Sequence, residues 1–109
     1  MKEIIRRGGE NISPFEIETA LLHHPDVDDA AVVAVPDPIW GEEIKAVIVP
    51  RRSFPAEDVR RFLGGRLPAF MLPRYVQFVP VIGRTETQKI QRRQLQDNKT
   101  GVVDLMGKA

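Results

Sequence analysis

A chain of 109 residues is sized for one domain with a modest hydrophobic core. Its 42% hydrophobic and 28% charged residues are ordinary for a globular protein, and no apolar run is long enough to cross a membrane. The start, Met1-Lys2-Glu3-Ile4-Ile5-Arg6-Arg7, lacks the long apolar stretch of a signal peptide, and the absence of cysteine excludes disulfides and thiolate metal sites. His23 and His24 are adjacent rather than at ligand spacing, so no metal site is expected. A cytoplasmic setting fits these features. The formal net charge of +1 is unevenly spread. Residues 1–50 hold four Lys/Arg against ten Asp/Glu, and residues 51–109 hold twelve against five. A basic half either meets an anionic partner, such as phosphates or nucleic acid, or forms a solvated charged surface.

In chain order, Ile4-Ile5 reads as a strand end entering a turn at Gly8-Gly9. Ser13-Pro14-Phe15-Glu16 reads as a helix start, with Ser13 as cap, Pro14 in the first turn and Glu16 completing a capping box. Ile17, Ala20, Leu21 and His24 follow at helical spacing until Pro25. Ala30 to Val35 and Ile44 to Val49 read as strands, and the short connection between them suits antiparallel neighbours. Lys45 interrupts the second run, which suggests a face partly open to water. Pro55-Ala56-Glu57-Asp58 opens a second helix, with acidic residues where the helix dipole favours them. Val59, Phe62, Leu63 and Leu67 form its apolar stripe, and Gly64-Gly65 weakens its later turns. Tyr75 to Val79 is a third strand, Gly83 to Gln88 an exposed polar loop, and Ile90 to Leu95 a short helix. Residues 97–109 read as a weakly ordered tail. The expectation is one α+β domain over residues 1–109, a small three-stranded sheet flanked by helices.

Three segments carry chemistry. Paired glycines at Gly8-Gly9, followed by Glu10-Asn11-Ile12-Ser13-Pro14-Phe15-Glu16-Ile17-Glu18, either let backbone approach a ligand or simply make a turn. Trp40, the sole tryptophan, sits in Val35-Pro36-Asp37-Pro38-Ile39-Trp40-Gly41-Glu42-Glu43, where it either stacks on a ligand or covers the domain's own core. Lys89 ends the polar run Gly83-Arg84-Thr85-Glu86-Thr87-Gln88, either as a solvated charge or as a cation offered to an anionic transition state.

In this order and at these distances, the three segments resemble the C-terminal domain of the adenylate-forming superfamily, which includes AMP-binding acyl-CoA synthetases. The resemblance runs from residue 2 to about 95 and rests on Gly-Gly-Glu-Asn-Ile, Glu-Ile-Glu and Val-Pro-Asp-x-x-x-Gly-Glu. It implies that Lys89 is the catalytic lysine of adenylation, that Lys2 is the hinge, and that Gly8, Gly9 and Glu10 line the pantetheine path. It further places Trp40 and Arg74 in CoA-contacting regions. ATP, CoA and Mg are the implied cofactors, with Mg and most ATP contacts supplied by a large N-terminal domain of the same enzyme. A small-molecule carboxylate is the implied substrate, and neither nucleic acid nor a membrane span is expected. On this reading the chain is part of a longer acyl-CoA ligase and is inactive alone. The alternatives are an adenylation domain that loads a carrier protein and a stand-alone basic binding module. Gly83 and Gln88 depart from the usual Pro-Arg-Thr-x-x-Gly-Lys pattern.

Overall fold

In the computed structural model the described residues are 3–85 and 90–106. Strands β1 (Ile5–Arg7) and β2 (Glu10–Ile12) form an antiparallel hairpin closed by two glycines at positive φ, 57° at Gly8 and 91° at Gly9. A two-residue loop of this handedness matches the twist of its strands, and glycine enters it without a Cβ penalty. Helix α1 (Pro14–Leu21) follows. Ser13 holds the cap position with extended backbone, but its side chain makes no cap hydrogen bond, so the expected capping box is not formed. Pro14, already fixed in φ, starts the helix instead.

Strands β3 (Val27–Asp37) and β4 (Gly41–Pro50) are the antiparallel pair at the centre, each longer than the apolar runs suggested. Helix α2 (Glu57–Gly64) stops at the two glycines and crosses to β5 (Tyr75–Phe78), which lies parallel to β4. A short 3-10 turn, Ala69–Met71, lies between them. Helix α3 (Arg92–Asp97) begins two residues later than the sequence suggested, because Ile90 instead bridges back to Arg84. Strand β6 (Val103–Asp104) then pairs with β5. The expected three-stranded sheet therefore has six strands in the order β2-β1-β4-β5-β6, with β3 along the other side of β4. The segment after Asp97, expected to be a loose tail, supplies the sixth.

Alternation along the strands separates two faces. Val32, Ile44, Ala46, Ile48 and Val76 point toward α1 and α2, whose Ile17, Leu21, Val59 and Leu63 are fully buried. Burying each of these helix side chains stabilises the fold by roughly 1.5–3 kcal/mol. His24, read as part of the α1 stripe, stacks on Phe54 at 4.7 Å, at the edge of this core. Ala31 and Val47 point the other way, under Ile82, Ile90 and Leu95. Lys45 is on this second face. It does not open the face to water: it is 2% exposed, and its Nζ donates to the carbonyls of Leu95 at 2.7 Å and Asn98 at 2.5 Å. Those acceptors are at the end of α3, where the helix dipole favours a cation. Desolvation lowers the Lys45 pKa from its ordinary value, opposed by the charge of Asp97. Beside it, Gln77 Nε2 donates to Thr100 O at 2.8 Å, so the two side chains pin residues 95–100 to the sheet.

The opposed charges of the two halves pair with one another, at the surface and in partly buried contacts. Arg51 pairs with Asp28, Arg52 with Asp26, Arg74 with Asp37, Arg84 with Asp29 and Arg92 with Glu18. Much of the basic half thus has the acidic half as its partner.

Candidate functional site

The first candidate surface is the meeting of two turns. Residue Arg7 pairs with Gly41 in the sheet, which brings the Gly8-Gly9 turn against the turn that joins β3 to β4. Gly8 N–H donates to Trp40 O at 2.8 Å. A Cβ on Gly8 would lie 2.5 Å from Trp40 Cε3, so only glycine lets the indole lie against this backbone. Gly9 differs: nothing comes within 4 Å of where its Cβ would be, and its backbone faces open space. Glu10 follows as the exposed first residue of β2.

Carboxylates hold the turn that carries Trp40. Asp37 Oδ2 accepts the Ile39 N–H at 3.0 Å and the Trp40 N–H at 2.9 Å. Glu42 Oε1 accepts the Arg6 N–H at 2.8 Å. Glu43, 1% exposed, accepts from Arg7 Nε at 2.9 Å, and the Arg7 guanidinium carbon lies 4.5 Å from the Trp40 ring centroid. The indole thus lies against both Gly8 and Arg7, yet it remains 43% exposed beside Ile39 at 80%. An aromatic surface and a bare glycine backbone are side by side.

Arg74 stands behind this turn. Its Nε and Nη2 donate to the two oxygens of Asp104, each at 2.9 Å, and its Nη1 lies 3.6 Å from Asp37 Oδ1. The fork to Asp104 holds the guanidinium above its ordinary pKa. Arg74 therefore links the Trp40 turn to β6. An open groove of about 840 Å³ runs nearby, lined in part by Gly41, Glu42, Tyr75 and Lys99. Lys45 also lines it, but two of its N–H groups are already given to Leu95 and Asn98.

The second candidate surface is the loop that carries Lys89. Lys89 and Lys2 lie outside the described residues. The stem of the loop is described: Arg84 bridges Ile90, and Gln91 N–H donates to Gly83 O at 3.2 Å. Arg84 also binds Asp29 near the start of β3, whereas Asp37 ends that strand at the Trp40 turn. Eight residues of strand separate the two anchors, roughly 26 Å at the usual rise.

The structure thus gathers Gly8, Gly9, Glu10 and Trp40 at one end of β3 and roots the Lys89 loop near the other. Sequence reasoning missed Arg7, Asp37 and Glu43 as organisers of the first end. The only available signal was their place within the quoted motifs, because an isolated charge in a turn otherwise reads as solvated. Among the described residues no group of three or more His, Asp or Glu side chains is arranged to hold a metal. No helix there is long and apolar enough to cross a membrane.

Known proteins share this sequence and fold. The chain is 42% identical over 95 residues to oxalate–CoA ligase of Arabidopsis thaliana, covering 85% of this chain and 18% of that protein. It is 38% identical over 98 residues to acetyl-coenzyme A synthetase of Bacillus subtilis, covering 85% and 17%. Its fold superposes on o-succinylbenzoate CoA synthetase of Bacillus subtilis with a TM-score of 0.85 at 32% identity, covering 91% of this chain and 20% of that one. A Mycobacterium tuberculosis fatty acyl CoA synthetase gives 0.80 at 35% identity, covering 86% and 19%. The chain therefore spans about a fifth or less of the length of these relatives. The family model for the AMP-binding enzyme C-terminal domain matches residues 16–89, from the first turn of α1 through the β3–β4 turn to Lys89, and this chain belongs to that family.

Proposed function

We propose that this chain is the mobile C-terminal domain of an ATP-dependent acyl-CoA ligase. The observation that supports this most is the separation of two chemically different features along β3, the open Gly9–Trp40 edge and the root of the Lys89 loop. One domain can offer each end in turn to a single active site by rotating about a hinge, here Lys2. In the first step a carboxylate oxygen attacks the α-phosphorus of ATP, the bond to pyrophosphate breaks, and acyl-AMP forms. The Lys89 ammonium would stabilise the negative charge that builds on the phosphoryl oxygens. In the second step the sulfur of CoA attacks the acyl carbon, AMP leaves, and the thiol proton is lost.

For that step the Gly9 backbone offers a chain such as pantetheine a path with no side chain in the way, and the Trp40 indole offers it an apolar wall. Glu10 would border this path. Arg74 would serve the CoA face from behind, by fixing Asp37 and hence the Trp40 turn. The nucleotide pocket, the acyl pocket and the magnesium that accompanies ATP are assigned to a large N-terminal domain. A cytoplasmic setting suits a reaction that consumes ATP and CoA, although one relative, of Petunia hybrida, is named as a peroxisomal trans-cinnamate:CoA ligase.

The test is to separate the half-reactions in the full ligase. Lys89→Ala should slow acyl-AMP formation about a hundredfold or more, the cost of losing one group that stabilises transition-state charge, and should spare thioester formation from supplied acyl-AMP. Gly9→Leu should do the reverse. Equal loss of both half-reactions in either variant would refute the assignment, as would pyrophosphate exchange by this chain alone.

A further inference from the structure

We infer that Arg84, Asp29, Arg92 and Glu18 form a clamp that positions the Lys89 loop by fastening both of its legs to the edge strand β3. The inference rests on the role given to Lys89 above. The leading leg is held by a two-pronged pair: Arg84 Nη1 to Asp29 Oδ2 at 2.5 Å and Nη2 to Asp29 Oδ1 at 2.9 Å. The trailing leg is held where α3 begins, by Arg92 Nη1 donating to Glu18 Oε2 and to Val32 O, both at 2.7 Å. The bridge between Arg84 and Ile90 joins the two legs at the base of the loop.

These pairs differ from ordinary surface ion pairs, which contribute little because both side chains remain free to move. Each acid here has a second anchor. Glu18 is 7% exposed, and the same Oε2 accepts the Val32 N–H at 2.7 Å. Asp29 Oδ1 accepts the Ala30 N–H at 2.8 Å. On the basic side, Arg92 lies over the Phe15 ring at 5.2 Å. The hydrogen bonds to Asp29 raise the Arg84 pKa from its ordinary value, with burial opposing and the charges of Asp29 and Glu18 assisting. Beneath the stem, Ile82 and Ile90 pack on Ala31 and Val47. The guanidinium of Arg84 and the Nη1 of Arg92 are committed to these contacts, which suits them to hold the loop rather than to bind substrate. A lysine on a four-carbon stem delivers its charge accurately only from a fixed base, and a displacement of about 1 Å is enough to cost a hundredfold in rate.

The experiment uses the full ligase, with adenylation and thioester formation assayed separately. Asp29→Asn and Glu18→Gln keep the shape of each acid and remove its charge. Each should lower the adenylation kcat on the order of tenfold to a hundredfold, with the KM for ATP and the thioester step changed by no more than about twofold. Arg84→Lys, which keeps the charge but loses the fork, should fall between these variants and wild type, and it decides the matter if Asp29→Asn does not fold. Unchanged adenylation, or equal loss of both half-reactions, would overturn the clamp. Lys89→Ala is measured alongside. If it cripples adenylation while the clamp variants do not, the clamp alone is wrong; if it leaves adenylation intact, the role of Lys89 and the clamp fall together.

Discussion

Replacing Gly8 with alanine should move the indole of Trp40, and replacing Gly9 should not. Both residues sit at positive φ, where a Cβ costs roughly 1–2 kcal/mol. At Gly9 that is the whole cost, because the space beyond is empty. At Gly8 the new methyl would lie 2.5 Å from Trp40 Cε3, so the ring has to retreat by about 1 Å to reach an ordinary carbon contact. In retreating it loses its place beneath Arg7, a cation–π contact of about 0.5–1 kcal/mol where partly exposed. The sums are roughly 1.5–3 kcal/mol for Gly8→Ala and 1–2 kcal/mol for Gly9→Ala, or melting-temperature losses on the order of 7–13 °C and 4–9 °C for a chain of this length. Trp40 is the sole tryptophan, so its fluorescence reports the turn directly. Gly8→Ala should change the emission maximum and raise quenching by iodide while the protein is folded; Gly9→Ala should leave both alone. Identical spectra and identical melting losses for the two variants would refute the packing argument.

Two further perturbations test the second face of the sheet and the last strand. Burial lowers the Lys45 pKa in the folded chain below its ordinary value of 10.5, so in the window just under 10.5 the unfolded chain binds more protons and this residue's contribution to stability rises with pH. The stability of wild type minus that of Lys45→Met should therefore rise from pH 8 to pH 10 in urea titrations, and a signed difference that falls over that range contradicts the assignment. Asp104→Ala removes the acceptor for the Arg74 fork at a cost of about 1 kcal/mol, since both groups are partly exposed. It should speed hydrogen exchange at the Leu105 amide, which is bonded to Arg74 O, and leave the amides of β3 unaffected.

The elements with a clear period were legible in the sequence. The α1 and α2 stripes and the two apolar runs of β3 and β4 needed only burial and a short connection to fix their pairing. The additional strands were not legible, because two or three residues carry no period. β2 exists through the handedness of the Gly8-Gly9 turn, and β6 lies beside Arg74, whose fork holds Asp104. Lys45 was misread because a charge in a strand normally marks the wet side, whereas here the end of α3 supplies its acceptors. The charge imbalance pointed to an outside partner, yet several of the cations pair with acids of this chain that are distant in sequence. At the candidate site, each motif was visible alone. That Gly8 underlies Trp40, with Arg7 and Asp37 fixing the pair, is a tertiary fact that no local pattern encodes.

The side chains that cover β3 have another consequence. A long edge strand is normally a template on which a second chain can add a strand and begin to aggregate. The backbone groups facing away from β4 recur at every second residue, and four of those on β3 are already taken. Ala30 N–H is held by Asp29, Val32 N–H by Glu18, Val32 O by Arg92 and Ala34 O by Gln96. The next position in the series is Pro36, which has no N–H to offer. The middle of the longest strand thereby has fewer groups to offer an added strand, and the residues that root the Lys89 loop also blunt this edge.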